Sequence, residues 1–145
     1  LLECDENPSW LYSVKNGATT IWERWDSYVA ETDTFGDVSM NSFNHYAYGA
    51  VGEWMFGTIL GINAAEPGYR RIVLRPVPGG TLTYAKGSYE SAAGLICSEW
   101  KISGDRFIYR CEIPANAEAE LYLPGRSEPV MLESGRHEYI VNLQN

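Results

Sequence analysis

From Ala117 to Leu123 the chain alternates strictly: Ala117, Ala119, Leu121 and Leu123 hold one phase, Glu118, Glu120 and Tyr122 the other. A period of two residues marks a strand with one face in a core and one in water. The same rhythm predicts strands at Arg71–Pro76, Leu82–Tyr89, Leu95–Ser103, Arg106–Ile113 and Glu138–Leu143, with a weaker one near Val130–Glu133. Pro78-Gly79-Gly80, Ala93-Gly94, Gly104-Asp105, Pro124-Gly125 and Ser134-Gly135 supply the turns between them. A two-residue turn at Gly104-Asp105 sets Ile102 opposite Phe107, Trp100 opposite Tyr109 and Ser98 opposite Cys111, all facing one core. Short antiparallel strands at this spacing predict a β-sandwich.

Upstream of a composition change at Asn63–Gly68 the period lengthens. Thr20-Ile21-Trp22-Glu23 fits a capping box and predicts a short helix from Ile21 toward Val29. The polar, turn-rich stretch from Ala30 to Val38 reads as a loop. Asn41 suits the N-cap of a longer helix reaching Leu60, with Phe43, Ala47, Ala50, Val51, Trp54 and Met55 as its buried stripe. His45 lies on another line of that helix, followed by Gly49 and Gly52. Each glycine costs a helix about 1 kcal/mol relative to Ala, so close packing by a helix or a ligand is expected on that face. The fold class is therefore α+β: helices in 1–66, which cannot enclose a core alone, then an antiparallel sandwich in 67–145.

Net charge removes one class of function. At −8, with a sequence pI near 4.7, the chain is ill suited to neutralising the phosphates of a nucleic acid. No apolar run approaches the roughly 18–20 residues that cross a bilayer. The opening Leu1-Leu2, without Met, a basic segment or a signal-type apolar run, looks like a cut inside a longer polypeptide. Of three cysteines, Cys97 falls on the face of its strand away from Cys111, so the hairpin register predicts free thiols, which suit any compartment.

The candidate chemistry sits between Gly17 and Trp54, where Trp22, Trp25 and Trp54 accompany Glu23 and His45. Aromatic rings beside acids suit a sugar cleft, since a pyranose offers a C–H face to stack and hydroxyls to bond. Each residue has a plainer reading. Glu23 stands three residues after Thr20 and could close a capping box. His45 could be a first-turn histidine, and Trp22 and Trp25 could be core. Asp26, Glu31 and Asp33 read as solvated loop acids, and Arg70, Arg71 and Arg75 as fasteners at the junction of the two parts. Neither a metal site nor a cofactor site is indicated: the histidines lie far apart, there is no CxxC, and no Gly-rich phosphate loop occurs.

The strings Gly17-Ala18-Thr19-Thr20-Ile21-Trp22-Glu23-Arg24-Trp25-Asp26 and Met40-Asn41-Ser42-Phe43-Asn44-His45-Tyr46-Ala47-Tyr48-Gly49-Ala50-Val51-Gly52-Glu53-Trp54 resemble the C-terminal end of bacterial α-L-rhamnosidases. Pro67-Gly68-Tyr69, Ile72-Val73-Leu74-Arg75-Pro76 and Ser98-Glu99-Trp100-Lys101 continue the similarity over nearly all the chain. The resemblance implies an inverting glycoside hydrolase built on an (α/α)6 barrel followed by a β-sandwich. It implies Glu23 as general base and His45 as a rhamnose contact; Trp22 and Trp25 are candidates for the sugar on the stacking argument, against the reading that places them in the core. The family's general acid lies in an upstream motif absent from this chain. The isolated chain is accordingly expected to be inactive, with rhamnose-containing glycosides and the remainder of the barrel as its partners. The alternative is a non-catalytic sandwich, either binding carbohydrate through Tyr84, Tyr89 or Tyr122 or purely structural.

Overall fold

The computed structural model describes residue 2 and residues 4–143. The chain divides into two compact units, Leu1–Gly52 and Glu53–Asn145.

In the second unit, alternation translates directly into two four-stranded sheets. One has the order β10-β7-β6-β5, formed by β5 (Tyr84–Ser91), β6 (Gly94–Ser103), β7 (Arg106–Ile113) and β10 (Gly135–Asn142), all antiparallel. The other has the order β3-β4-β8-β9, formed by β3 (Ile62–Ala64), β4 (Arg71–Leu74), β8 (Glu118–Leu121) and β9 (Val130–Leu132). Its central pair, β4 with β8, is parallel, and β3 is a strand that the sequence pattern did not announce. Inward residues of both sheets share one core: Ile72, Leu74, Ala119, Leu121 and Leu132 meet Ile96, Trp100, Phe107 and Tyr109. Trp100, Phe107 and Tyr109 have no exposed surface and stack in series, with centroids 5.8 and 6.3 Å apart.

The hairpin between β6 and β7 has the expected register: Ile102 faces Phe107, Trp100 faces Tyr109 and Ser98 faces Cys111. Cys97 pairs with Glu112 on the outer face, and Cys4, Cys97 and Cys111 are free thiols. Burial pushes the Cys111 thiol up to about 12 and raises that of Cys97 as well, so both stay protonated at neutral pH.

The helical stretch entering this unit ends inside the sandwich. An α-turn at Val51–Trp54 runs into a π-turn at Met55–Ile59, whose wider winding is seen in the Leu60 N–H donating to the Met55 carbonyl at 3.0 Å. A helix end that enters a core carries carbonyls that need donors. The Trp100 indole N–H bonds the Ile59 carbonyl at 2.7 Å, and the Ser98 hydroxyl bonds the Leu60 carbonyl at 2.7 Å. Gly61 then turns the chain at φ +73°; a Cβ there would fall 2.1 Å from the Pro76 nitrogen, so only glycine fits. The Gly61 carbonyl accepts from Arg75 N–H at 2.8 Å, tying the turn to the end of β4.

The first unit departs from the sequence expectations. A short helix, α1 (Trp10–Lys15), is capped by the Ser9 hydroxyl, which accepts from Tyr12 N–H. No helix forms at Ile21–Val29, where the chain is extended and then bends. Its backbone groups go to a distant segment: Glu23 N–H bonds the Ser42 carbonyl, and His45 N–H bonds the Ile21 carbonyl, each at 2.8 Å. β-branched and aromatic residues at positions 20–22 favour that extended pairing over a helix. The Ala30–Val38 region holds the tip of a two-stranded ribbon, β1 (Tyr28–Val29) with β2 (Thr34–Phe35).

The second helix begins at Ala47, as a 3-10 turn over Ala47–Ala50, and not at Asn41. Asn41 donates its amide to the Ser27 carbonyl, and its buried Oδ1 has no partner among the described residues. The stripe expected to be buried is open: Ala47, Ala50, Trp54 and Met55 are exposed, while Phe43 and Val51 are half-buried. A Cβ at Gly49 or Gly52 would meet nothing within 4 Å.

Replacing Trp100 by Phe removes the donor from the Ile59 carbonyl and leaves a void beside it. The expected loss is about 2–4 kcal/mol, read as a lower urea midpoint by far-UV circular dichroism. An unchanged midpoint would show that the helix end does not depend on this bond.

Candidate functional site

The extended pairing described above brings Glu23 beside the 42–45 segment. The Glu23 Oε2 atom accepts from Ser42 N–H at 2.7 Å, while Glu23 N–H returns a bond to the Ser42 carbonyl at 2.8 Å. The carboxylate is thus fixed through one oxygen, and Oε1 has no hydrogen-bond partner among the described residues. No helix starts at Thr20, so the capping box does not exist. The Thr20 hydroxyl donates instead to the Phe43 carbonyl, adding a third cross-link between the two segments.

His45 is half-buried, with its ring stacked on Tyr46 at 5.2 Å and 7°. Its Nδ1 accepts from Ala47 N–H at 3.2 Å, closing a local turn just before the 3-10 segment. An accepting Nδ1 in a neutral imidazole puts the proton on Nε2. That nitrogen is then a donor suited to a sugar hydroxyl.

The two tryptophans occupy different settings. Trp22 is buried and meets Phe43 edge-on at 5.3 Å, in a cluster extended by Phe35 and Tyr28. Trp25 is half-buried, stacked on Tyr48 at 4.4 Å and met edge-on by Trp10 at 4.9 Å. Among the loop acids, Asp26 is held by Arg24 at 2.9 Å, which lowers its pKa from the ordinary carboxylate value. Asp33 receives the Tyr28 hydroxyl at 3.1 Å. Both are explained by these local bonds.

Sequence reasoning missed Ser42, because its part is played by backbone atoms that no side-chain pattern signals. It missed Trp10, which lies outside the Trp-rich string, and Tyr48, which falls off the expected buried stripe. Of the second-unit tyrosines named above, Tyr89 meets Tyr69 at 5.0 Å and Phe56 at 6.1 Å. Tyr84 and Tyr89 point to opposite faces of β5, and Tyr122 lies under the Arg75 guanidinium at 3.9 Å.

Two family models match this chain. Residues 61–138 match the bacterial α-L-rhamnosidase C-terminal domain. Residues 1–59 match the bacterial α-L-rhamnosidase 6-hairpin glycosidase domain. The chain belongs to the bacterial α-L-rhamnosidase family.

An α-L-rhamnosidase of Streptomyces avermitilis is 45% identical over 117 residues, which is 81% of this chain and 11% of that protein. One from Formosa agariphila is 43% identical over 124 residues, 86% of this chain and 13% of that protein. Among solved structures, the Streptomyces avermitilis α-L-rhamnosidase complexed with L-rhamnose aligns with a TM-score of 0.87 at 37% identity, covering 98% of this chain and 16% of that one. The α-L-rhamnosidase of Aspergillus terreus aligns at 0.89 with 43% identity, covering 97% and 16%. The chain therefore spans only about a tenth to a sixth of the length of the family members it matches.

The tautomer at His45 can be read directly. Long-range 1H–15N spectra at high pH should show the proton on Nε2. A spectrum with the proton on Nδ1 would remove the Ala47 bond and with it the donor at the site.

Proposed function

We propose that this chain contributes the water-activating half of an inverting α-L-rhamnoside hydrolase. The observation that carries the reading is the Glu23 carboxylate, held through Oε2 by Ser42 N–H and left open at Oε1, within the stretch that matches the 6-hairpin glycosidase domain.

Inversion needs one carboxylic acid to protonate the departing oxygen and one carboxylate to deprotonate water on the opposite ring face, roughly 6.5–9.5 Å apart. Glu23 takes the second role: Ser42 N–H fixes its rotation, and Oε1 receives the proton as water attacks the anomeric carbon. The acid belongs to a part of the protein outside this sequence. His45 positions the sugar, its Nε2–H donating to a hydroxyl, and Trp22 and Trp25 give the pocket its apolar surroundings. A 6-deoxysugar matches such a wall, because its methyl group has no hydroxyl to leave unsatisfied. The substrates on this reading are rhamnose-containing glycosides, and the partner is the rest of the catalytic barrel.

A Glu23→Gln change in the barrel-containing protein keeps the Ser42 bond and removes the base. It should lower kcat by about 10²–10⁴-fold with little change in melting temperature, measured on an aryl α-L-rhamnoside. Unchanged turnover would overturn the assignment. The 145-residue chain alone supplies one carboxylate of the pair, so it should show no turnover in the same assay.

A further inference from the structure

On the outer face of the β3-β4-β8-β9 sheet, beside the end of the π-turn, lies a groove of about 470 Å³ lined by Thr58, Asn63, Val73, Arg75, Val77 and Tyr122. That volume is within the range of small-ligand sites, roughly 300–1,000 Å³. Its one charged lining residue is Arg75, directly after β4, whereas Arg71 at the start of that strand is paired. Arg71 pairs with Glu118 at 3.5 Å and with Glu120 at 3.2 Å. Arg110 pairs with Glu99 and Glu138, and Arg136 with Glu112. Arg75 makes no ion pair among the described residues. Its guanidinium rests 3.9 Å from the centre of the Tyr122 ring.

The acid on the adjacent strand is already committed. Glu120 gives Oε1 to Arg71 at 3.2 Å and Oε2 to the Tyr122 hydroxyl at 3.0 Å. That second bond also locks the ring on which Arg75 lies, so the guanidinium is held in place with its donors unspent. Asn63 spends its amide N–H on the Gly57 carbonyl at 2.8 Å, which fixes the side chain and leaves Oδ1 as an acceptor. The Thr58 hydroxyl has no partner among the described residues. Val73 is half-buried and Val77 is 51% exposed, together forming an apolar strip beside these polar atoms.

We infer that this groove binds a carboxylate-bearing sugar, a uronate unit of an acidic glycan. A guanidinium takes a carboxylate with two parallel N–H bonds, which fixes orientation as well as charge. Sugar hydroxyls then meet Asn63 Oδ1 and the Thr58 hydroxyl, and the C–H edge of the ring lies on the valines. A surface arginine over a tyrosine is common and needs no ligand. Arg126 also lines a groove without an ion pair among the described residues; what separates Arg75 is the ring that holds it, the committed neighbouring acid, and the unspent donor and acceptor groups of Asn63 and Thr58 beside it. The choice of a sugar over other carboxylates rests on the glycosidase reading; the groove itself does not involve Glu23.

The test is a titration of the 145-residue chain, followed by 1H–15N shifts, with D-glucuronate, D-glucose and acetate in separate arms. Glucuronate should give saturable shifts at Thr58, Asn63 and Arg75, with affinity about tenfold or more above either other compound. Arg75→Gln should weaken glucuronate by about tenfold or more, and Arg75→Lys by less, because it keeps the charge and loses the fork. Arg126→Gln, at an arginine in a separate groove with Pro124 and Ile140, should leave the affinity unchanged. No saturation, equal affinity for acetate, or indifference to Arg75→Gln would each overturn the inference. None of these outcomes bears on hydrolysis by Glu23, which a separate assay reads.

Discussion

The second unit is organised around two carbonyls that have nowhere else to go. A helix running into a hydrophobic core presents its last C=O groups to a medium without water, and each unpaired one costs about 1–3 kcal/mol. Trp100 and Ser98 answer Ile59 and Leu60 from adjacent inward positions of β6, two residues apart and therefore on the same face. The Ser98 hydroxyl also meets the Tyr109 hydroxyl at 3.1 Å, so polar groups are satisfied in a chain across the core centre. Gly87, opposite Ser98 on β5, leaves room for the Leu60 side chain; a Cβ there would fall 2.4 Å from Leu60 Cδ1. Ser98 and Gly87 thus hold small side chains at core positions because the helix end occupies the volume a larger one would take.

The candidate site is built by a different device. Its geometry comes from backbone pairing between two segments about twenty residues apart, not from a helix face. Such pairing fixes a carboxylate with little investment of side chains: Ser42 N–H holds Glu23, and His45 N–H holds Ile21. The imidazole is oriented by Ala47 N–H. Fixing both groups through backbone donors leaves one oxygen and one nitrogen open, the arrangement general-base chemistry and hydroxyl recognition require.

This contrast explains which features could be read from the residues. The β6–β7 register was legible because a two-residue turn and strict alternation allow a single pairing, and the free state of Cys97 followed from it. Family membership was legible from the strings around Glu23 and His45. The extended course of Ile21–Val29 was not, because Ile21, Trp22, Trp25 and Val29 recur at helical spacing while the Ile21 carbonyl and the Glu23 N–H bond His45 and Ser42. Non-local pairing leaves no periodic trace. The late helix start has the same origin: the Asn41 amide N–H is drawn to the Ser27 carbonyl, and Oδ1, the atom that would cap, meets no helix N–H among the described residues. Strand β3 was missed because three residues are too few for alternation to register.

The two units also differ in how far their own residues satisfy them. The sandwich closes its core, with Trp100, Phe107, Tyr109, Leu74 and Leu121 wholly buried. Its outer face is neutralised row by row: Lys86, Glu99, Arg110 and Glu138 alternate in sign across four strands, with ion pairs of 3.4, 3.8 and 2.7 Å. Exposed pairs of this kind add little stability, about 0–1 kcal/mol each, but they remove charge without needing a partner. The first unit shows the opposite condition: Val38, Met40 and Tyr46 are 93%, 62% and 89% exposed, and Gly49 and Gly52 face open space. Apolar surface of this kind is stabilised only by covering it.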